Sequence, residues 1–332
     1  MEAKDMAVTL KDIAEQIGVS NQVVSAVLNS KSNCRVSKEK RARILELAQR
    51  LNYQPNALAS SLRSGKTRII GVFVDSFAKY RTLRLLQEIE RTATGLGYQM
   101  MTSFSHNDIA HMKEDYLMLQ RYGVTGFICC SHDYPEQKKE VADLFANAQN
   151  VVFMEKPSIP GMPYVATSRV KALTAMIADA RRNGHSRIGL LHGDSGFYSE
   201  KKLLTEFKTA MRGNGLEADP DLIFEYPENP DIPKIRVQAA MEKMILPFRP
   251  DFLYVDDVPH AVALRTQLFK AGLDITIHGG TGDPSFDDLD VDTFDPNYKK
   301  IAEELLNKTF HPENRCGHTV IETIYKPKTN NL

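Results

Sequence analysis

Between residues 9 and 53 the apolar positions fall into three helical stripes: Leu10, Ile13, Ala14 and Ile17, then Val23, Val24, Val27 and Leu28, then Ile44, Leu45, Leu47 and Ala48. Each stripe is preceded by a hydroxyl residue, Thr9, Ser20 or Ser37, that can accept from orphan backbone N–H groups, and Thr9 with Asp12 makes a short capping-box variant. Gly18-Val19-Ser20 ends one helix and starts the next within three residues, the tight turn of a helix-turn-helix. Gln54 to Lys66 reads as a linker with one or two helical turns, begun by Pro55 and ended near Gly65. From Arg68 onward, apolar runs of strand length alternate with amphipathic helices: Ile69 to Val74, Tyr98 to Phe104, Phe127 to Cys130, Val151 to Met154, Ile188 to Leu191, Phe252 to Val255 and Ile275 to Ile277. Buried parallel strands have this pattern, which predicts an α/β body of two doubly wound lobes with ligand loops at the strand C-termini. The expected organisation is an all-α helix-turn-helix domain over 1–54, a hinge and linker over 55–67, and the two-lobed α/β domain over 68–328.

Charge sharpens this division. The chain carries no net charge, yet residues 1–68 hold twelve Lys/Arg and six Asp/Glu, leaving 30 basic and 36 acidic residues in the remainder. A basic end on an acidic body points to a polyanion-binding module. Cys34, Cys129, Cys130 and Cys316 form no CxxC pair and no His/Cys ligand spacing, so no metal site, no cofactor and no disulfide framework is expected. No stretch approaches a membrane span, and the opening MEAKDMAVTLKDIAEQ is charged and helix-patterned, not signal-like. A cytoplasmic protein with reduced thiols and no membrane contact is the expectation.

The segments VTLKDIAEQIGVSNQVVSAVLN and VSKEKRARILELAQRLNYQPNALASSLRSGKTRIIGV closely resemble the N-terminus of the lactose-repressor/galactose-repressor (LacI/GalR) family of bacterial transcription regulators. Thr9, Asp12, Ala14, Val19, Ser20, Ser25, Val27-Leu28-Asn29, Val36-Ser37, Tyr53-x-Pro55-Asn56, Ala59 and Leu62 carry the likeness. The body matches more loosely, through Asn183-Gly184-His185-Ser186-Arg187-Ile188-Gly189, Arg249-Pro250-Asp251 and Asp256-Asp257.

The resemblance implies a homodimer, a repressor more readily than an activator, that reads a pseudo-palindromic operator with one recognition helix per major-groove half-site. It assigns Asn21, Gln22, Val23, Ser25, Ala26 and Asn29 to the DNA-reading helix, with Thr9 and Ser20 beside it. Gln22 can grip adenine through its amide, whereas Ser25 or Asn29 suits phosphate or sugar. Val23 suits core packing and a thymine methyl about equally. The family usually has Thr where Val23 stands and often Arg where Ala26 stands, so the operator is expected to differ. Asn56, Ala59, Ser60 and Leu62 match a short hinge helix in the minor groove, with Leu62 as the wedge that unstacks a central step.

The effector domain implied by the resemblance has a periplasmic-binding-protein-like fold, but its ligand residues are altered. Asp75-Ser76-Phe77-Ala78-Lys79-Tyr80-Arg81 replaces a Pro-Asp-x-x-Asn-Pro-Phe run, Thr167-Ser168 an Asp-Asn, Leu203 beside Lys202 an Arg, and Gly279-Gly280-Thr281 a Gly-aromatic-Asp. Asp75, Ser76, Phe77, Tyr80, Ser131, Lys202, Asp256 and Thr281 remain as candidate effector contacts. The small-molecule effector, a sugar or sugar derivative in the family pattern, is left open. So is an effector-independent or partner-controlled regulator.

Rival readings have weaker support. Ser64-Gly65-Lys66-Thr67 imitates a P-loop end, but Ser60 stands where the first glycine belongs. Gly279 to Asp283 lacks GxGxxG spacing and reads as a loop or cleft turn, and His185, His192 and Asp194 give only a faint suggestion of acid–base work. No catalytic residue is assigned. A transport-type solute binder fits the body but not the attached DNA module.

Overall fold

Helices α1 (Leu10–Ile17), α2 (Asn21–Leu28) and α3 (Lys38–Arg50) build the first unit. The computed structural model describes residues 8–28, 36–53, 67–75, 80–105, 108–148, 150–193, 196–226 and 232–326, and the chain divides into two compact units, Met1–Thr67 and Arg68–Leu332. The helix starts are capped as the hydroxyl pattern predicts. Thr9 Oγ1 accepts from Asp12 N–H while Asp12 Oδ2 accepts from Thr9 N–H at 2.7 Å. Ser20 Oγ accepts from Val23 N–H at 3.4 Å, and Ser37 Oγ from Lys40 N–H at 3.2 Å. Gly18 takes the left-handed conformation (φ 73°) and closes α1 with a bond to Ala14 O, so the next helix can start at once.

Ile13, Ala14, Val24, Val27, Ile44, Leu47 and Ala48 form the buried core of this unit, with Val23 packed against its rim. Leu45, expected in the third stripe, is exposed instead. The 3.6-residue period carries the buried face from Ile44 to Leu47 and Ala48 and leaves Leu45 on the flank. Ser37→Ala should lower stability by about 1 kcal/mol and speed amide exchange in the first turn of α3. Unchanged exchange there would mean that the cap contributes nothing.

In the second unit the first lobe begins with β1 (Ile69–Val74), α4 (Tyr80–Gly95), β2 (Gln99–Phe104), α5 (Ile109–Arg121), β3 (Gly126–Cys129), α6 (Lys138–Phe145), β4 (Val151–Met154) and β5 (Tyr164–Ser168). The chain then crosses and builds the second lobe from α7 (Val170–Arg182), β6 (Ile188–His192), α8 (Tyr198–Gly213), β7 (Ile223–Glu225), α9 (Pro233–Ala240), β8 (Phe252–Val255), α10 (Val258–Ala271), β9 (Thr276–Gly279), α11 (Ser285–Asp288) and β10 (Asp292–Thr293). It returns for α12 (Tyr298–Phe310) and β11 (His318–Glu322), then crosses a third time. An antiparallel bridge between Asp295 and Ile324 ties two of the crossings together.

Both sheets are parallel, with strand orders β11-β5-β4-β3-β1-β2 and β10-β9-β8-β6-β7. Buried apolar layers cover both faces of each sheet. The seven runs read from the sequence are the strands β1, β2, β3, β4, β6, β8 and β9, with ends shifted by up to two residues. The pattern of apolar runs does not pick out strands β5, β7, β10 and β11. β7, β10 and β11 are sheet edges with polar positions facing out, and β5 ends in Thr167 and Ser168 at the rim between the lobes, so none presents a continuous apolar run.

Candidate functional site

Two surfaces carry the sequence-predicted residues. On the first unit, Val24 and Val27 point α2 into the core, so Asn21 and Gln22 are exposed at its start and Ser25 and Ala26 are half-exposed. Thr9 and Ser20 are also exposed. Val23 makes core contacts. Asn29, Asn56, Ala59, Ser60 and Leu62 lie outside the described residues, as do Ser76 and Phe77 of the second unit.

The second surface is a cleft of about 720 Å³ where the C-terminal strand ends of the two lobes face each other. Doubly wound sheets place ligand sites there because loops diverge at the strand ends. Asp75 follows β1, Cys130 follows β3 and Glu155 follows β4 on one wall; His192 ends β6, Asp256 follows β8 and Gly280-Thr281 follow β9 on the other. Asp75, Tyr80, Asp256 and Thr281 thus line the cleft. Ser131 and Lys202, expected with them, stand behind its walls. Ser131 is fully buried and donates to Asp75 Oδ1 at 2.5 Å. The Lys202 ammonium is consumed by Glu155 Oε2 at 2.7 Å and the Thr167 carbonyl at 2.6 Å.

Several charged residues that sequence reasoning missed organise the walls. Arg81 reaches from α4 across the cleft to an ion pair with Asp256, whose other oxygen accepts from Tyr254 Oη at 2.9 Å. Arg169, at the first crossing, is buried and pairs with Glu206 at 3.4 Å. Gly280 lets these groups pack, since a Cβ there would sit 2.1 Å from Tyr254 Oη and 2.2 Å from Asp256 Oδ1. Burial alone would raise the Asp256 carboxyl, but Arg81 and Arg169 outweigh it and hold the pKa below the usual range. Glu155 behaves alike: burial raises it and Lys202 more than compensates.

Both depressed carboxyls stabilise the fold above the ordinary carboxylate range, and that contribution is lost as pH falls through their folded values. The urea midpoint of the full chain should therefore drop from about pH 5 downward, and Asp256→Asn should flatten part of the drop. An identical acid profile in the variant would remove Asp256 from the account.

On the first wall, Asp75 Oδ1 also accepts from Tyr134 Oη at 3.3 Å, while Ser105 Oγ lies 2.9 Å from Ser131 Oγ and 2.8 Å from Tyr134 Oη. Burial pushes the Asp75 pKa up. On the opposite wall, Asp257 caps α10 by accepting from His260 N–H, and its Oδ1 lies 2.5 Å from His260 Nδ1. The Tyr226 ring stacks on His260 with centroids 4.5 Å apart. His192 Nδ1, Tyr226 Oη, His260 Nε2 and Thr281 Oγ1 are buried without a hydrogen-bond partner. For the Asp257–His260 pair the signal in the sequence is Asp257-x-x-His260, a spacing that places both side chains on one helical turn.

Among the described residues the lining counts seven carboxylates (Asp75, Asp133, Glu155, Glu200, Asp256, Asp257, Asp283) against three guanidiniums (Arg81, Arg169, Arg236). No group of His, Cys, Asp and Glu there has a metal-holding arrangement, and no described helix is long and apolar enough to cross a membrane.

Residues 9–56 match the family model described as "Bacterial regulatory proteins, lacI family". The chain is 24% identical over 321 residues to the HTH-type transcriptional repressor PurR of Aliivibrio salmonicida, covering 95% of this chain and 91% of that one. It is 28% identical over 219 residues to catabolite control protein A of Staphylococcus xylosus, covering 66% of each. Its fold matches a crystal structure of the lac repressor dimer bound to operator and the anti-inducer ONPF, with TM-score 0.79 and 21% identity, over 98% of this chain and 99% of that one.

Proposed function

This chain belongs to the lacI family of bacterial regulatory proteins, and on that premise we propose that it is a cytoplasmic, sequence-specific DNA-binding repressor. It acts as a homodimer on a pseudo-palindromic operator and carries out no catalytic step. The observation that carries this reading is the exposed start of α2, where Asn21, Gln22 and Ser25 face outward from a capped three-helix core. In a helix-turn-helix that surface enters the major groove.

Residues 55–67 are too few to nucleate a stable helix alone, and in this reading they fold on DNA, with Leu62 wedged into the minor groove. A ligand that binds the cleft changes the spacing of the lobes and so biases operator affinity. Gln22→Ala should cost about 1–3 kcal/mol on the operator recovered by genome-wide footprinting and relax preference at one base position. Equal losses on operator and random DNA would assign Gln22 to the backbone and leave α2 without a reading role.

A second reading rests on the Arg81–Asp256 ion pair, which joins the lobes with the chain's own side chains. Ser199 N–H donating to Asp133 Oδ2 at 3.2 Å adds a second tie. A regulator latched in this way answers to a partner or to none.

A further inference from the structure

On the reading of the cleft as an effector site, we propose that its ligand is a small organic cation: a hydroxylated or heterocyclic body bearing a protonated amine, and neither a phosphate nor a carboxylate. The lining carboxylates outnumber the guanidiniums seven to three among the described residues. Low-dielectric walls focus such a field and favour entering cations over anions. The cations near the cleft are also committed, Arg81 to Asp256, Arg169 to Glu206, and Lys202 to Glu155. Arg236 lies over the Tyr226 ring, 6.0 Å from its centroid. No guanidinium is poised to fork an incoming phosphate.

Asp75 is in the opposite position. Its partners are the hydroxyls of Ser131 and Tyr134, both on Oδ1, and no cationic side chain pairs with it among the described residues. An ammonium at Oδ2 supplies the missing countercharge, and a charge-assisted bond of this kind is about twice as strong as a neutral one.

The other wall offers acceptors to the rest of the molecule. His260 Nδ1 faces Asp257 Oδ1 at 2.5 Å and Nε2 has no partner; in the tautomer that donates from Nδ1 to the carboxylate, Nε2 is an acceptor. Tyr226 Oη and Thr281 Oγ1 are buried, line the cleft and lack partners as well. Three unsatisfied atoms able to accept suit a ligand rich in N–H and O–H donors, because leaving them unpaired is costly. The Tyr226 ring already stacks on His260 and lies under Arg236, so it offers the ligand its hydroxyl and not a face.

The test uses two matched series on the full chain at constant ionic strength: glucosamine, glucose and glucose 6-phosphate, and 1,4-diaminobutane, 1,4-butanediol and succinate. Calorimetric titration at millimolar concentrations should rank the amine first in each series, about tenfold tighter than its neutral counterpart, with no heat from the anion. Asp75→Asn should bring amine and neutral compound within about twofold of each other. Tyr226→Phe should weaken both members equally, and circular dichroism would show whether each variant folds. An anion that binds as tightly as the amine, an amine preference that survives in Asp75→Asn, or silence from all six compounds overturns the proposal. A gel shift of the unliganded protein on its operator separates the two readings: DNA binding without amine preference rejects only the ligand class, whereas absence of operator binding rejects the regulator.

Discussion

Arg169→Met is expected to destabilise the second unit by about 3–5 kcal/mol, the usual consequence of removing one partner from a buried charge pair. The Arg169 guanidinium and the Glu206 carboxylate are both less than a tenth exposed, and Arg169 N–H also donates to Glu206 Oε1 at 3.3 Å. Methionine fills much of the volume but leaves Glu206 buried without a countercharge and takes one of two cations from Asp256. Asp256 retains Arg81, so the greater loss falls on Glu206. Arg169 is one of the two cations that hold the Asp256 pKa down against burial, so its loss lets that carboxyl protonate at higher pH. The gap between wild type and variant should therefore be largest at neutral pH and narrow as pH falls. Urea titrations of the full chain at pH 7 and about pH 5 measure this, with the midpoint lowered and the slope unchanged. An unaltered midpoint at neutral pH would mean that the pair adds nothing.

Gly280→Ala should have the second-largest effect, about 1–3 kcal/mol, from overpacking alone. The new methyl would meet Tyr254 Oη at 2.1 Å and Asp256 Oδ1 at 2.2 Å. Neither can step aside, because Tyr254 is fully buried and Asp256 is gripped by Arg81. A melting temperature several degrees lower, together with faster proteolysis at the lobe crossings, is the expected result. Gly95→Ala is the control, since a Cβ there meets nothing within 4 Å and closes the last turn of α4. That substitution should be neutral or slightly stabilising through helix propensity. Equal behaviour of the two variants would show that the crowding at Gly280 relaxes without penalty.

The parts of this architecture that were legible in the sequence are those set by short-range rules. Caps at Thr9, Ser20 and Ser37, the Gly18 turn, and the continuous apolar runs of β1, β4 and β8 all depend on neighbours within a few residues. Edge strands such as β7 and β11 escape because one side is solvated and the apolar signal is broken. The site divides on the same principle. Asp75, Asp256 and Thr281 follow strands closely, so recognising the strand places them at the cleft. Whether a polar residue such as Lys202 faces the ligand or braces a carboxylate from behind depends on the rotation of its helix and on where Glu155 arrives from. Arg81 and Asp256 stand 175 residues apart, and only the apposition of the lobes makes them partners.

The three chain crossings set an order on biosynthesis. Residues 170–293 carry every strand of the second lobe in one contiguous stretch, so that lobe can close while the chain is still being made. The first lobe, although its first strand comes at Ile69–Val74, waits for α12 to cover α4 and for β11 to pair with β5. Its own last strand is encoded some 250 residues after its first. Until then β5 is a bare edge, open to pairing with another nascent chain on the same polysome. A ribosome stalled before residue 298 would release a protein whose later-encoded lobe is native and whose earlier-encoded lobe is adhesive. The fold thus makes residues 298–322 the part on which closure of the earlier-encoded lobe depends.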